Sequence, residues 1–155
     1  MKLVMCFLII FNGLSAYSKD PSVSLIRTKF HHSTTSEKSC KDLINLLEPY
    51  TANNNPLFLG YKGGATMLMA KYAINPFNKF SYFTKGRNML EKAIEADEKN
   101  VELRFLRYSI QTNVPSILGY KDHLTKDKIF LKNSVSSVKD RELKKIITLY
   151  LKQKN

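Results

Sequence analysis

Apolar residues recur every three or four positions along nearly the whole chain. No stretch alternates with period two between turn signals, so the pattern predicts an all-α fold. Val23, Ile26 and Phe30 share one face, and Asp20-Pro21 puts a capping acid before a proline suited to the first helical position. Thr34-Thr35-Ser36-Glu37 has capping-box spacing and predicts a second helix to about Leu47. Beyond the polar run TANNNP, Asn55-Pro56 starts a third helix carrying Leu57, Tyr61, Ala65, Leu68, Met69 and Tyr72. Asn75-Pro76 repeats that device before a long fourth helix through Phe80, Phe83, Arg87, Leu90 and Ile94. The stretch VELRFLRYSIQ is apolar on most sides and is expected to be buried on most sides. Pro115 is expected to open a further helical segment to about Lys132. Leu143, Ile146, Ile147, Tyr150 and Leu151 then mark the stripe of a last helix.

Two stretches nearly repeat each other: NNPLFLGYK at Asn54–Lys62 and NVPSILGYK at Asn113–Lys121, identical at six of nine positions. In both, a proline three residues before Leu-Gly-Tyr-Lys can start a helix. If the two are equivalent, Leu59 and Leu118 are both buried and both prolines open helices. Gly60, Gly63 and Gly64 fall within the third helix, where glycine costs about 1 kcal/mol relative to alanine. That cost is accepted where a neighbour comes close, and Gly60 and Gly64 share a face, so one helix is expected to pack there. GYKGG is not read as a phosphate-cradling loop, because such a loop follows a strand.

The stretch from Leu59 to Asn100 resembles an expanded tetratricopeptide-type helical hairpin. Leu59-Gly60 matches the family's first helix, and Gly86, Leu90 and Ala93 match its second at the family's spacing. Glu98 stands where proline is usual, extra residues including Asn75-Pro76 separate the halves, and no full repeat period follows. The resemblance implies antiparallel helical hairpins, in a short tetratricopeptide-like solenoid or bundle, presenting a groove to a protein or peptide. From Lys19 onward the chain is also similar to small exported bacterial helical proteins. The similarity lies in LGYKGGATMLMAK, NPF, LEKAIEA and ELRFLRYSIQTNVPSILGY. It implies architecture and export, and no activity.

The first residues bear on compartment. MKLVMCFLIIFNGLSAYSKD has a positive start at Lys2, an apolar run from Leu3 to about Leu14, and small residues at Ala16 and Ser18. That is the layout of a secretory signal peptide over residues 1–18, cut after Ser18. The run is short of the roughly 20 residues a bilayer span needs. The expectation is one domain over residues 19–155, delivered to the periplasm or secreted. Cys40 is then the one cysteine left, so no disulfide forms within the mature chain. It lies on the stripe Cys40, Leu43, Ile44, Leu47, where cysteine acts as a small buried hydrophobe. Whether it stays free or cross-links two chains is left open at this point.

Charge changes the picture only in part. The chain carries a formal net charge of +12, and residues 121–155 hold ten basic residues against four acidic ones. This marks either an anionic partner or solvated helix faces. Candidate chemistry is sparse. His31, His32 and His123 have no metal-ligand spacing around them, Asp122 and Asp127 beside His123 form only a weak cluster, and no G-x-S-x-G, H-E-x-x-H or Walker-type motif occurs. No catalytic, metal or cofactor-binding residue is assigned.

The candidate site is ELRFLRYSIQTN. Arg104 and Arg107, at i and i+3, can face one way and clamp a carboxylate or phosphate. The competing reading is an internal ion pair with Glu102, Glu91 or Glu95. These arginines, with Tyr61-Lys62 and Tyr120-Lys121 of the echo, are the candidate partner-binding residues. The expected function is a non-enzymatic adaptor for an envelope protein or peptide. The alternative is a basic binder of anionic envelope polymer, or less favourably nucleic acid, through the C-terminal helices.

Overall fold

The computed structural model describes residues 20–154. The leader expected over residues 1–18 lies outside them. The described residues form seven α-helices and two 3-10 turns, with no strand. The helices are α1 (Val23–Ser33), α2 (Glu37–Leu46), α3 (Pro56–Tyr72), α4 (Pro76–Ala96), α5 (Val101–Asn113), α6 (Leu124–Ser134) and α7 (Arg141–Gln153). The 3-10 turns are Ser116–Leu118 and Val135–Ser137. The all-α expectation is borne out. No helix of the described chain is long and apolar enough to cross a membrane.

Side-chain caps set most boundaries. Asn55, Asn75, Asn100 and Asp140 each accept a backbone N–H of the turn they precede. Two starts differ from expectation. Ser22, two residues beyond Asp20, caps α1 by accepting from Leu25 N at 3.2 Å, while Asp20 accepts from the Tyr50 hydroxyl. Ser36 caps α2 by accepting from Ser39 N, and Thr34 instead closes α1, donating its hydroxyl to His31 O.

α3 is the hub. From Phe58 through Met67 every residue is buried, as a helix enclosed by neighbours on all sides must be. α4 runs against it as an antiparallel hairpin, and the backbones touch where two glycines meet. A Cβ on Gly63 would come 2.7 Å from Gly86 O, and one on Gly86 would come 2.4 Å from Gly63 O. The expectation of a single neighbour across Gly60 and Gly64 is corrected. α5 does lie across both, with Leu103 at Gly60 and Ile110 at Gly64, but it is not alone: the nearest neighbour of Gly64 is the Phe30 ring of α1. The close backbone contact belongs to Gly63, which meets Gly86 O and Leu90 N of α4.

Two apolar cores share α5. The larger gathers Ile26, Cys40, Leu43, Phe58, Ala65, Leu90, Leu103 and their neighbours from α1 to α5. The smaller joins Tyr108 of α5 to Leu131, Leu143, Ile147 and Leu151 of α6 and α7. Cys40 is buried as expected, with its thiol donating to Ala65 O at 3.0 Å, and it is free.

The echo does not mark equivalent backbones. Pro56 opens α3, and Leu59 and Gly60 lie buried in its first turns. Pro115 only precedes a 3-10 turn, Leu118 is half-buried, and Gly119 turns left-handed at φ 59°. The helix expected from Pro115 therefore starts only at Leu124. The left-handed glycine redirects the chain before it can continue.

Candidate functional site

α5 carries charged residues into the seam between the two cores, and each finds an internal partner. Asp127 of α6, fully buried, is the centre of one network. Arg107 donates to it twice, from Nε to Oδ2 at 2.6 Å and from Nη2 to Oδ1 at 2.9 Å. Arg107 also reaches Glu91 of α4 from Nη1 at 2.5 Å, and the Tyr120 hydroxyl donates to the other oxygen of Glu91. Arg104 Nε approaches Asp127 Oδ1 at 2.7 Å, close enough for charge attraction yet without the alignment of a hydrogen bond. Its guanidinium lies over the Phe130 ring, 4.8 Å from the centroid. Burial alone would lower the Arg107 pKa, but Asp127 and Glu91 outweigh it and raise it.

A second network lies at the start of α5. Arg27 of α1 grips Glu102 with two bonds, at 2.7 and 2.8 Å, and the Tyr61 hydroxyl donates to Glu102 at 2.6 Å. Arg27 also touches two exposed carboxylates at the start of α7, Asp140 at 2.8 Å and Glu142 at 3.3 Å. The hydrogen bond to Glu102 raises the Arg27 pKa despite burial, and burial first, then Glu102, holds Tyr61 well above the usual tyrosine range.

The six candidate residues thus fall into internal pairs. Arg104, Arg107 and Tyr120 belong to the Asp127–Glu91 network, and Tyr61 to the Glu102 network. Lys62 bonds Glu48 Oε2 at 2.6 Å and Glu48 O at 3.3 Å, just past α2. Lys121 donates to Gln111 O and, at 3.1 Å, to Val114 O, capping the end of α5. Of the acids considered as partners, Glu91 does pair with Arg107, and Glu102 pairs with Arg27 instead. Asp127, which had looked like part of a weak cluster near His123, is the residue that binds both arginines. This arrangement is a set of buried charges paired with one another, as charges that hold helices in register are. On the same face, the buried Gln111 amide has no hydrogen-bond partner among the described residues.

The concave surface lies elsewhere. A trough runs between α3, α4 and the end of α5. Its inner part, about 340 Å³, is lined by Phe30, Gly64, Leu68 and Ile110; its outer part, about 600 Å³, by Ala70, Lys71, Pro76, Lys79, Phe80 and Ile117. Met67, Phe83, Asn113 and Val114 line both, so the two parts adjoin. No aspartate or glutamate lines either part. Two of the trough's lining side chains stand largely in water, Phe80 at 65% and Ile117 at 93% exposure, and Ile74 and Phe77, which flank the lining residue Pro76 in sequence, are exposed too, at 95% and 83%. Scattered apolar residues are ordinary on surfaces, but a group beside an apolar trough marks a contact surface.

Reading by sequence placed Phe80 on the buried stripe of α4 and passed over Ile74, Phe77 and Ile117. A signal was present in the position of Ile74 and Ile117 within turn segments, where no helix face can hide them.

A second concavity, about 420 Å³, collects Lys121, Lys128, Lys132 and Lys154 between α5, α6 and α7. Two of these amines already serve carbonyls, since Lys128 donates to Lys154 O and Lys121 caps α5. No group of three histidine, cysteine, aspartate or glutamate side chains suited to a metal occurs among the described residues.

Compared with protein-family models, with curated proteins and with solved structures, the chain matches none. What the fold and its surfaces define is an all-α helical protein, among the described residues, with an open apolar trough. Its function is argued from that surface alone.

Proposed function

We propose that this chain is an exported, non-enzymatic helical adaptor of tetratricopeptide-like build that takes an apolar segment of a protein partner into the α3–α4–α5 trough. The observation that carries this reading is the trough itself, open, apolar and edged by the exposed Phe80 and Ile117. Burying one such side chain is worth about 1.5–3 kcal/mol, so a partner that covers several gains affinity without new polar pairing. The antiparallel α3–α4 hairpin, joined through Gly63 and Gly86, supports the tetratricopeptide-like element of the reading. The signal-peptide layout of residues 1–18 is what suggests the export element.

The alternative, a basic binder of anionic envelope polymer through α6 and α7, draws on the four-lysine concavity. It is the weaker of the two, because two of the four, Lys121 and Lys128, already donate to helix-end carbonyls.

Chemical cross-linking of the protein in the exported fraction, read by mass spectrometry, separates the two. The adaptor reading expects cross-links from one partner to Lys71 and Lys79, lost in Phe80→Asp/Ile117→Asp and retained in high salt. Cross-links concentrated on Lys132, Lys152 and Lys154, with retention falling steeply with salt, would replace it with the polyanion reading.

A further inference from the structure

We propose that the occupant of the trough is a short amphipathic helix with an acidic polar flank. This deepens the adaptor reading and rests on it. Along α3 the trough extends from Gly64 to Lys71, about 10 Å at about 1.5 Å per residue. Two turns of a docked helix have the same length, which suits anchors at i, i+4 and i+7. Most of the wall is helix, with backbone groups bonded within α3, α4 and α5, and a 3-10 turn closes the rest, so among the described residues no strand edge is offered for an extended peptide. The lining holds no tryptophan or tyrosine of the kind that grips a proline-rich helix.

Charge then selects among helices. Lys71 and Lys79 are the charged residues of the lining, both are exposed, and no carboxylate opposes them. Lys71 lends its amine to Thr34 O at 3.0 Å, while the amine of Lys79 makes no bond to a described residue. Acidic residues flanking the apolar anchors would meet both amines at the mouth. The net charge of +12 adds long-range attraction for the same sign. A second copy of this chain would bring its own lysines and positive charge to that point, and is disfavoured. A flat anionic bilayer would reach Ile74, Phe77 and Ile117 but not the floor at Met67 and Gly64.

The test uses the full chain against a displayed library of helical peptides of about 14 residues. Leucines are fixed at i, i+4 and i+7, and the polar positions are drawn from glutamate, glutamine and lysine. The expected result is enrichment of glutamate on the wild type and none on Phe80→Asp/Ile117→Asp. With Lys71→Glu/Lys79→Glu the preference should invert, and an enriched acidic peptide should lose about tenfold in affinity at low salt. Lys79→Glu alone, which disturbs no bond, should give the same direction at smaller size. Enrichment that depends on Phe80 and Ile117 but shows no glutamate excess would overturn the acidic helix and leave the adaptor reading standing. No enrichment over the Phe80→Asp/Ile117→Asp control would overturn both. Binding of vesicles of anionic phospholipid in place of any peptide would assign the surface to a membrane instead.

Discussion

In α3, Leu59 to Lys62 lies inside a buried helix, while Leu118 to Lys121 leaves a 3-10 turn through a left-handed glycine. The backbones have nothing in common, yet the side chains perform the same tasks. Each tyrosine donates its hydroxyl to a glutamate already held by an arginine, Tyr61 to Glu102 and Tyr120 to Glu91. Each lysine accepts responsibility for carbonyls at a helix end, Lys62 beyond α2 and Lys121 beyond α5. The two networks differ in one respect. The Glu102 network opens to water, because Arg27 also holds the exposed Asp140 and Glu142. The Asp127 network has a fully buried acid between two buried arginines, with Glu91 alone partly open. A buried charge with a route to solvent can lose a partner and be rescued; one without a route cannot.

That difference predicts unequal responses to the same chemical change. Asp127→Asn leaves two buried guanidinium groups short of an anion and should cost about 3–5 kcal/mol. Glu102→Gln leaves Arg27 with Asp140 and Glu142 and should cost about 1–3 kcal/mol. Urea unfolding of the two variants checks the order, and equal losses would erase the distinction between closed and open networks.

Alkaline pH should act on both networks and on Cys40. Burial first, then the charge of Glu37, pushes the Cys40 thiol up to about 11 from an ordinary 9.0. The folded chain therefore holds this proton more tightly than the unfolded chain does. The stability it represents is present below about pH 9 and is lost as pH rises through about 11, for a total of about 2–3 kcal/mol. Tyr61 and Tyr120 are raised by burial and then by their glutamates, so their ionisation adds to the loss above the ordinary tyrosine value of 10.0. Cys40→Ala should flatten the first part of the pH–stability curve. An unchanged curve would mean that the thiol does not respond to burial.

The two echo glycines should fail for different reasons and by smaller amounts. A Cβ at Gly60 would lie 2.2 Å from Leu103 Cδ2, inside the core. Gly60→Ala should then cost about 1–2 kcal/mol net of its better helix propensity. At Gly119 a Cβ meets nothing within 4 Å, but φ is +59°. Gly119→Ala should cost about 1 kcal/mol through backbone strain alone, and Gly119→Asn less. Leu103→Ala should rescue Gly60→Ala in thermal melts and leave Gly119→Ala unaffected; rescue of both would contradict the contrast.

Much of the fold was legible because its signals are local. Asn55-Pro56 and Asn75-Pro76 announce helix starts within four residues, and the stripe from Leu143 to Leu151 declares the face of α7. Where the signal depended on a choice between adjacent caps, as with Asp20 and Ser22, the start moved. The echo misled about Pro115 because identical letters do not specify φ, and Gly119 takes the left-handed value that Gly60 does not. The arginines of α5 were visible as buried charge, but their anion was not, since Asp127 lies twenty residues on in another helix. The trough was the least legible part. Phe80 and Ile117 become its walls only when α4 and the 3-10 turn are brought together in space.

The central claim is that the arginines of α5 hold the scaffold and leave binding to the trough. A double-mutant cycle on Arg107 and Asp127, read by urea unfolding, tests it most directly. Arg107→Met and Asp127→Leu should each destabilise strongly, and the double variant should cost at least about 2 kcal/mol less than the two losses added. Additive losses, or an Arg107→Met protein as stable as the wild type, would contradict it and return Arg107 to the role of an open anion clamp.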